Sequence, residues 1–69
     1  MNINEKIAKR IKELRAEKNM TAEKLAWASG LSKSCVTYAE KAQRDIKIST
    51  VEGICKGFEI SIAEFFSVF

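Results

Sequence analysis

Thr21-Ala22-Glu23-Lys24-Leu25-Ala26-Trp27-Ala28-Ser29-Gly30-Leu31-Ser32-Lys33-Ser34-Cys35-Val36 is the stretch whose reading decides the fold. Thr21 belongs to the residue types whose side-chain oxygen caps a helix start, and Leu25 and Ala26 then place apolar surface on one side of a short helix. Gly30 supplies the left-handed backbone residue that stops it. Ser32 offers a second cap, and Val36 and Ala39 give the following helix, running to about Lys41, a buried side. A connection as short as Ser29–Ser32 forces the two helices to cross steeply.

Helical periodicity extends outward from this unit in both directions. Upstream, Ile3, Ile7, Ile11 and Leu14 form one apolar stripe, and Asn2 with Glu5 has the spacing of a capping box. Downstream, the polar run Ala42–Lys47 reads as the longest loop. Ser49 with Glu52 and Ser61 with Glu64 are two further capping boxes, each opening a helix with an apolar face. The expected fold is all-α, five short helices in a single domain over residues 1–69. Its core is expected from Ile7, Ile11, Leu14, Leu25, Leu31, Val36, Ile48, Val51, Ile54, Phe58, Ile60, Ile62 and Phe65, with Trp27 partly buried beside it.

Composition narrows the function. With 69 residues the chain can hold one small core and no substrate chamber. It contains no histidine, so it lacks the commonest general base and metal ligand; neither an enzyme nor a metal or other cofactor is expected. Cys35 and Cys55 form no CxxC pair and read as free, packed thiols, consistent with a reducing cytoplasm. No apolar run approaches a membrane span, and no small-molecule ligand is expected. The net charge of +3 is unevenly placed: residues 1–18 carry +3, residues 33–47 carry +2 and residues 48–69 carry −2. Any anion-binding face is therefore expected in the first two-thirds of the chain.

Spacing alone fits two steeply crossed helices of this kind equally to a generic αα corner of a helical bundle and to helix-turn-helix geometry. The latter thrusts the first turn of the second helix outward, where it can enter a DNA major groove. The order and spacing of further elements resemble the Cro/CI (lambda-repressor-like, XRE-type) helix-turn-helix regulators. These are Ile11, Leu14 and Arg15; Met20-Thr21 before Leu25-Ala26; Gly30-Leu31-Ser32 before Val36; Ile48-Ser49-Thr50-Val51; Ile54-Cys55; and Ile60-Ser61-Ile62-Ala63-Glu64-Phe65-Phe66. The resemblance covers roughly Ile7 to Phe66. It implies a compact five-helix domain that binds double-stranded DNA as a transcriptional regulator, expected to be a repressor. The chain departs from the family at Ala22, where Gln is usual and clamps a phosphate, at Ala42, where Gly is frequent, and near Ile46, where Pro is frequent.

The resemblance implies that Lys33, Ser34, Thr37 and Tyr38 read base edges, since these residue types donate to or accept from groove atoms, and Tyr38 can meet a thymine methyl or a phosphate. It places Lys41, Gln43, Arg44 and Lys47 on the DNA backbone. Thr21, at a helix start with free N–H groups, and Arg10 are further backbone candidates. Arg15 and Glu40 match positions that form a buried ion pair tying the first helix to the recognition helix. The apolar end, Phe66, Val68 and Phe69, exceeds what a short terminus can bury and implies a homodimer surface. The alternative from another class is a protein-interaction or antitoxin-type module on the same fold, favoured by Ala22 and by the modest charge.

Overall fold

The computed structural model describes residues 1–69 as five helices joined by turns. They are α1 (Ile3–Lys18), α2 (Ala22–Ser29), α3 (Lys33–Lys41), α4 (Ile48–Phe58) and α5 (Ile62–Phe66). Local chemistry sets most of the starts. Asn2 Oδ1 accepts the Glu5 N–H while Glu5 Oε1 accepts the Asn2 N–H, both at 2.9 Å, which closes the expected box. The hydroxyls of Thr21, Ser32 and Ser61 accept the N–H groups of Lys24, Cys35 and Glu64 at 3.0, 3.1 and 3.0 Å. Gly30 ends α2 with a φ of 70°.

The start of α4 differs from expectation. Its N-cap is Lys47, with no side-chain cap, and Ser49 lies inside the first turn instead of opening the helix. The Lys47 carbonyl already accepts the N–H groups of Thr50 and Val51 at 3.0 and 3.2 Å, so the helix begins before Ser49 is reached.

The helices pack α2 against α4, α1 against α3 and α2 against α3, with α5 on the end of α4. Ile7, Ile11, Leu14, Leu25, Ala26, Val36, Ala39, Val51, Ile54, Cys55, Phe58 and Phe65 form one core. Burying a large side chain such as Leu25 or Phe65 contributes roughly 1.5–3 kcal/mol each. Leu31 and Ile60 are half-buried against this core. Three expectations fail: Ile48 and Ile62 are 66% and 40% exposed, and Trp27 is 85% exposed. Ile48 and Ile62 open their helices, so their side chains leave the packed face before the first turn is complete. Trp27 lies on the side of α2 opposite Leu25 and Ala26.

Glycine decides how closely α2 and α4 approach. A Cβ built on Gly57 would stand 2.2 Å from Ser29 Oγ and 3.2 Å from both Leu25 Cδ1 and the Ser29 backbone nitrogen. Ser29 Oγ is buried in this seam without a hydrogen-bond partner.

Candidate nucleic-acid interface

The outward edge of α3 carries the residues expected to meet DNA. Lys33 and Ser34, in its first turn, are exposed. Lys33 Nζ lies 3.1 Å from Glu23 Oε1 of α2, and both side chains are more than half exposed. Such a surface pair is worth about 0–1 kcal/mol, so the ammonium is readily exchanged to another anion. Thr37 is half-buried, one step round the helix. Tyr38 is 42% exposed, and its ring is covered by the Arg44 guanidinium at 4.4 Å.

The connection between α3 and α4 completes this face. Lys41, Gln43, Arg44 and Lys47 are all exposed. Ser34, Cys35, Tyr38, Arg44, Lys47 and Thr50 are among the residues lining a groove of about 320 Å³ between α3, the connection and the start of α4. Thr21 is exposed at the start of α2, its hydroxyl engaged as the cap.

Two sets of polar contacts fix α3 and the connection. Arg15 reaches from α1 to Glu40 of α3 through Nε at 2.6 Å and Nη2 at 2.9 Å, and donates from Nη1 to the Met20 carbonyl at 2.9 Å. The hydrogen bond to Glu40 raises the Arg15 pKa above its ordinary value, with burial opposing and the Glu40 charge adding to the rise. One guanidinium thereby ties α1, the α1–α2 turn and α3 together.

The second set was not legible in the sequence. Asn4 Nδ2 donates to Asp45 Oδ1 at 2.8 Å, and Asn4 Oδ1 accepts the Ile46 N–H at 3.0 Å. These bonds span 41 and 42 residues, and no local pattern announces them.

Arg10 is engaged at the far end of the chain. Its Nε donates to the Phe65 carbonyl at 2.9 Å and its Nη2 to the Glu64 carbonyl at 3.1 Å. The guanidinium caps the end of α5 through these two bonds. Close by, Phe66 is half-buried, whereas Val68 and Phe69 are 65% and 42% exposed. Phe66 and Phe69 meet edge to face at 4.7 Å, so the apolar end is an ordered cluster.

A capped helix, a left-handed glycine turn and a second capped helix with its first turn outward define a helix-turn-helix protein. The sequence profile of the helix-turn-helix family matches residues 11–65, and the chain belongs to that family. Among curated proteins none matches it. Among solved structures it is similar to the wild-type restriction-modification controller protein C.Esp1396I, at 35% identity and a TM-score of 0.90, covering 99% of this chain and 88% of that one. The C.Esp1396I tetramer in complex with its natural 35 base-pair operator is equally similar, at 35% identity and a TM-score of 0.91, covering 99% and 90% of the two chains. A triclinic crystal form of the wild-type controller gives 38% identity and a TM-score of 0.86 over 93% and 83%. No helix is long and apolar enough to cross a membrane.

Proposed function

We propose that this helix-turn-helix chain is a transcriptional regulator that binds operator DNA as a symmetric pair of copies, without catalysis. The observation that carries the reading is the outward first turn of α3, bearing Lys33 and Ser34, on a fold that matches a controller protein crystallised on its operator. In this reading Lys33, Ser34 and Thr37 read bases. Thr21, Lys41, Gln43, Arg44 and Lys47 hold the sugar-phosphate backbone, and the Arg15–Glu40 pair holds α3 at its angle.

Phe66, Val68 and Phe69 form the surface on which two copies meet. A two-fold axis there sets the two α3 helices to successive major grooves, about 34 Å apart. Ala22 is half-buried against the core and takes no part in the phosphate clamp that Gln provides elsewhere in the family.

Anisotropy titration against a duplex library carrying inverted repeats, at several salt concentrations, tests the reading. The expected result is a preferred sequence whose affinity falls with salt. Equal binding to every sequence, or none, overturns it. Sedimentation tests the pairing: the wild-type chain dimerises at micromolar concentration, and Phe66→Asp with Phe69→Asp remains a folded monomer. A wild-type chain that stays monomeric overturns the arrangement.

A further inference from the structure

The chain has three arginines, and two of them are consumed internally. Arg10 spends its donors on the end of α5, and Arg15 spends its donors on Glu40 and the Met20 carbonyl. Arg44 is different. Neither of the chain's ion pairs includes it, and its guanidinium lies over the ring of the single tyrosine, Tyr38, at 4.4 Å. A guanidinium has five N–H donors, and the contact with the ring leaves those of Arg44 free of hydrogen bonds to the protein.

Arg44 is also held from behind. Asn4 fixes the next two residues through the Asp45 carboxylate at 2.8 Å and the Ile46 N–H at 3.0 Å. A long cationic side chain on a loop ordinarily loses rotamer freedom when it grips an anion. Here part of that ordering is complete before the anion arrives, because the backbone is pinned by α1 and the head rests on α3. The arrangement borders the groove that Ser34, Lys47 and Thr50 also line.

We infer that Tyr38 is a positioning residue: its ring is the platform that presents the Arg44 guanidinium to a phosphate of the DNA backbone, and it does not read bases. This rests on the DNA-binding reading above. The contact covers one face of the ring, and it joins a residue of the recognition helix to one of the following connection.

The experiment has two arms. In the free protein, NMR should show the Arg44 side-chain protons shifted upfield by the ring in wild type and in Tyr38→Phe, and unshifted in Tyr38→Leu. No such shift in wild type overturns the platform regardless of any DNA result. In the second arm, wild type, Tyr38→Phe, Tyr38→Leu, Arg44→Ala and the Tyr38→Leu/Arg44→Ala double variant are titrated with the preferred duplex and with a scrambled duplex at several salt concentrations. Tyr38→Phe should bind as wild type does. Tyr38→Leu should weaken binding to both duplexes alike, by about two- to fivefold.

Arg44→Ala should lower the salt slope by about 1, and the double variant should be no weaker than Arg44→Ala alone. Additive losses, or a changed base preference in Tyr38→Leu, overturn the inference while leaving the DNA-binding reading intact. Failure of wild type to bind either duplex overturns both.

Discussion

Between α2 and α4 the helices meet over glycine and apolar side chains, so closely that a methyl group on Gly57 would displace the Ser29 hydroxyl and crowd Leu25 and the Ser29 backbone. Between α1 and α3 a guanidinium–carboxylate pair is added to the apolar packing, and Asn4 extends polar ties from α1 to the connection beyond α3. The two seams divide the labour. Burial is non-directional and proportional to area, so the α2–α4 seam sets how firmly the domain is folded. Paired hydrogen bonds fix angle and register, so the α1–α3 seam sets where the recognition helix points.

The largest effect should come from breaking the apolar seam. Gly57→Val forces a branched side chain against Leu25 and Ser29 and should cost about 3 kcal/mol. Thermal unfolding reads this as a drop of roughly 4–8 °C per kcal/mol. An unchanged melting temperature would mean that α4 slides off α2 without penalty and that the approach is not tight.

The polar seam should break less severely and more selectively. The Arg15 and Glu40 side chains are 25% and 12% exposed, and Glu40→Ala strands the guanidinium at a cost of about 2 kcal/mol. Arg15→Met with Glu40→Leu should restore most of that stability, because a matched apolar pair avoids the unpaired charge. It should not restore full operator affinity in a titration. A double variant that binds as wild type does would show that the tie is not needed to aim α3.

A third measurement separates the seams by pH. Burial raises the Cys55 thiol pKa above its ordinary value of 9.0, with the Arg10 charge opposing and Glu52 adding to the rise. Above that pH the unfolded chain releases a proton that the folded chain keeps. Stability is therefore whole below pH 9 and falls above it, by up to about 1.4 kcal/mol per pH unit. Arg15, whose pKa is also raised, keeps its charge throughout this range, so the polar seam contributes no such slope. Denaturant melts from pH 8 to 10 should show Cys55→Ala starting less stable and declining less steeply. Equal slopes would remove Cys55 from the alkaline loss.

The smallest effect lies in the connection that follows α3. Ala42 holds a φ of 53°, a left-handed conformation that costs a residue with a Cβ about 1 kcal/mol. Ala42→Gly should recover somewhat less than that, raising the denaturant midpoint, because glycine loses more freedom on folding. A lower midpoint would show that the Ala42 methyl contributes packing that outweighs the strain.

What the sequence revealed and what it concealed follow from the range of each interaction. Caps act over three residues, so Asn2, Thr21, Ser32 and Ser61 could be identified by type and spacing. Ser49 has the same spacing with Glu52 and misleads, because an unadorned Lys47 carbonyl starts the helix first. Periodicity located the core yet placed Ile48 and Ile62 inward, since a stripe does not say how soon a helix start leaves the packed face. Within the candidate interface the helix positions of Lys33, Ser34 and Tyr38 were legible. The stack on Arg44 and the Asn4 ties were not, because they depend on how the loop folds back. The diversion of Arg10 to α5 joins residues 55 apart and was hidden for the same reason.

The exposure of Trp27 has an optical consequence. It is the only indole in the chain and already faces water across 85% of its surface in the folded state. Its emission should lie at long wavelength in the native domain and change little on unfolding, so a denaturation curve followed at this wavelength would be nearly flat. The same indole stands on the outer side of α2, clear of the core. A blue shift of its emission on mixing with DNA or with another protein would therefore mark a body pressed against α2.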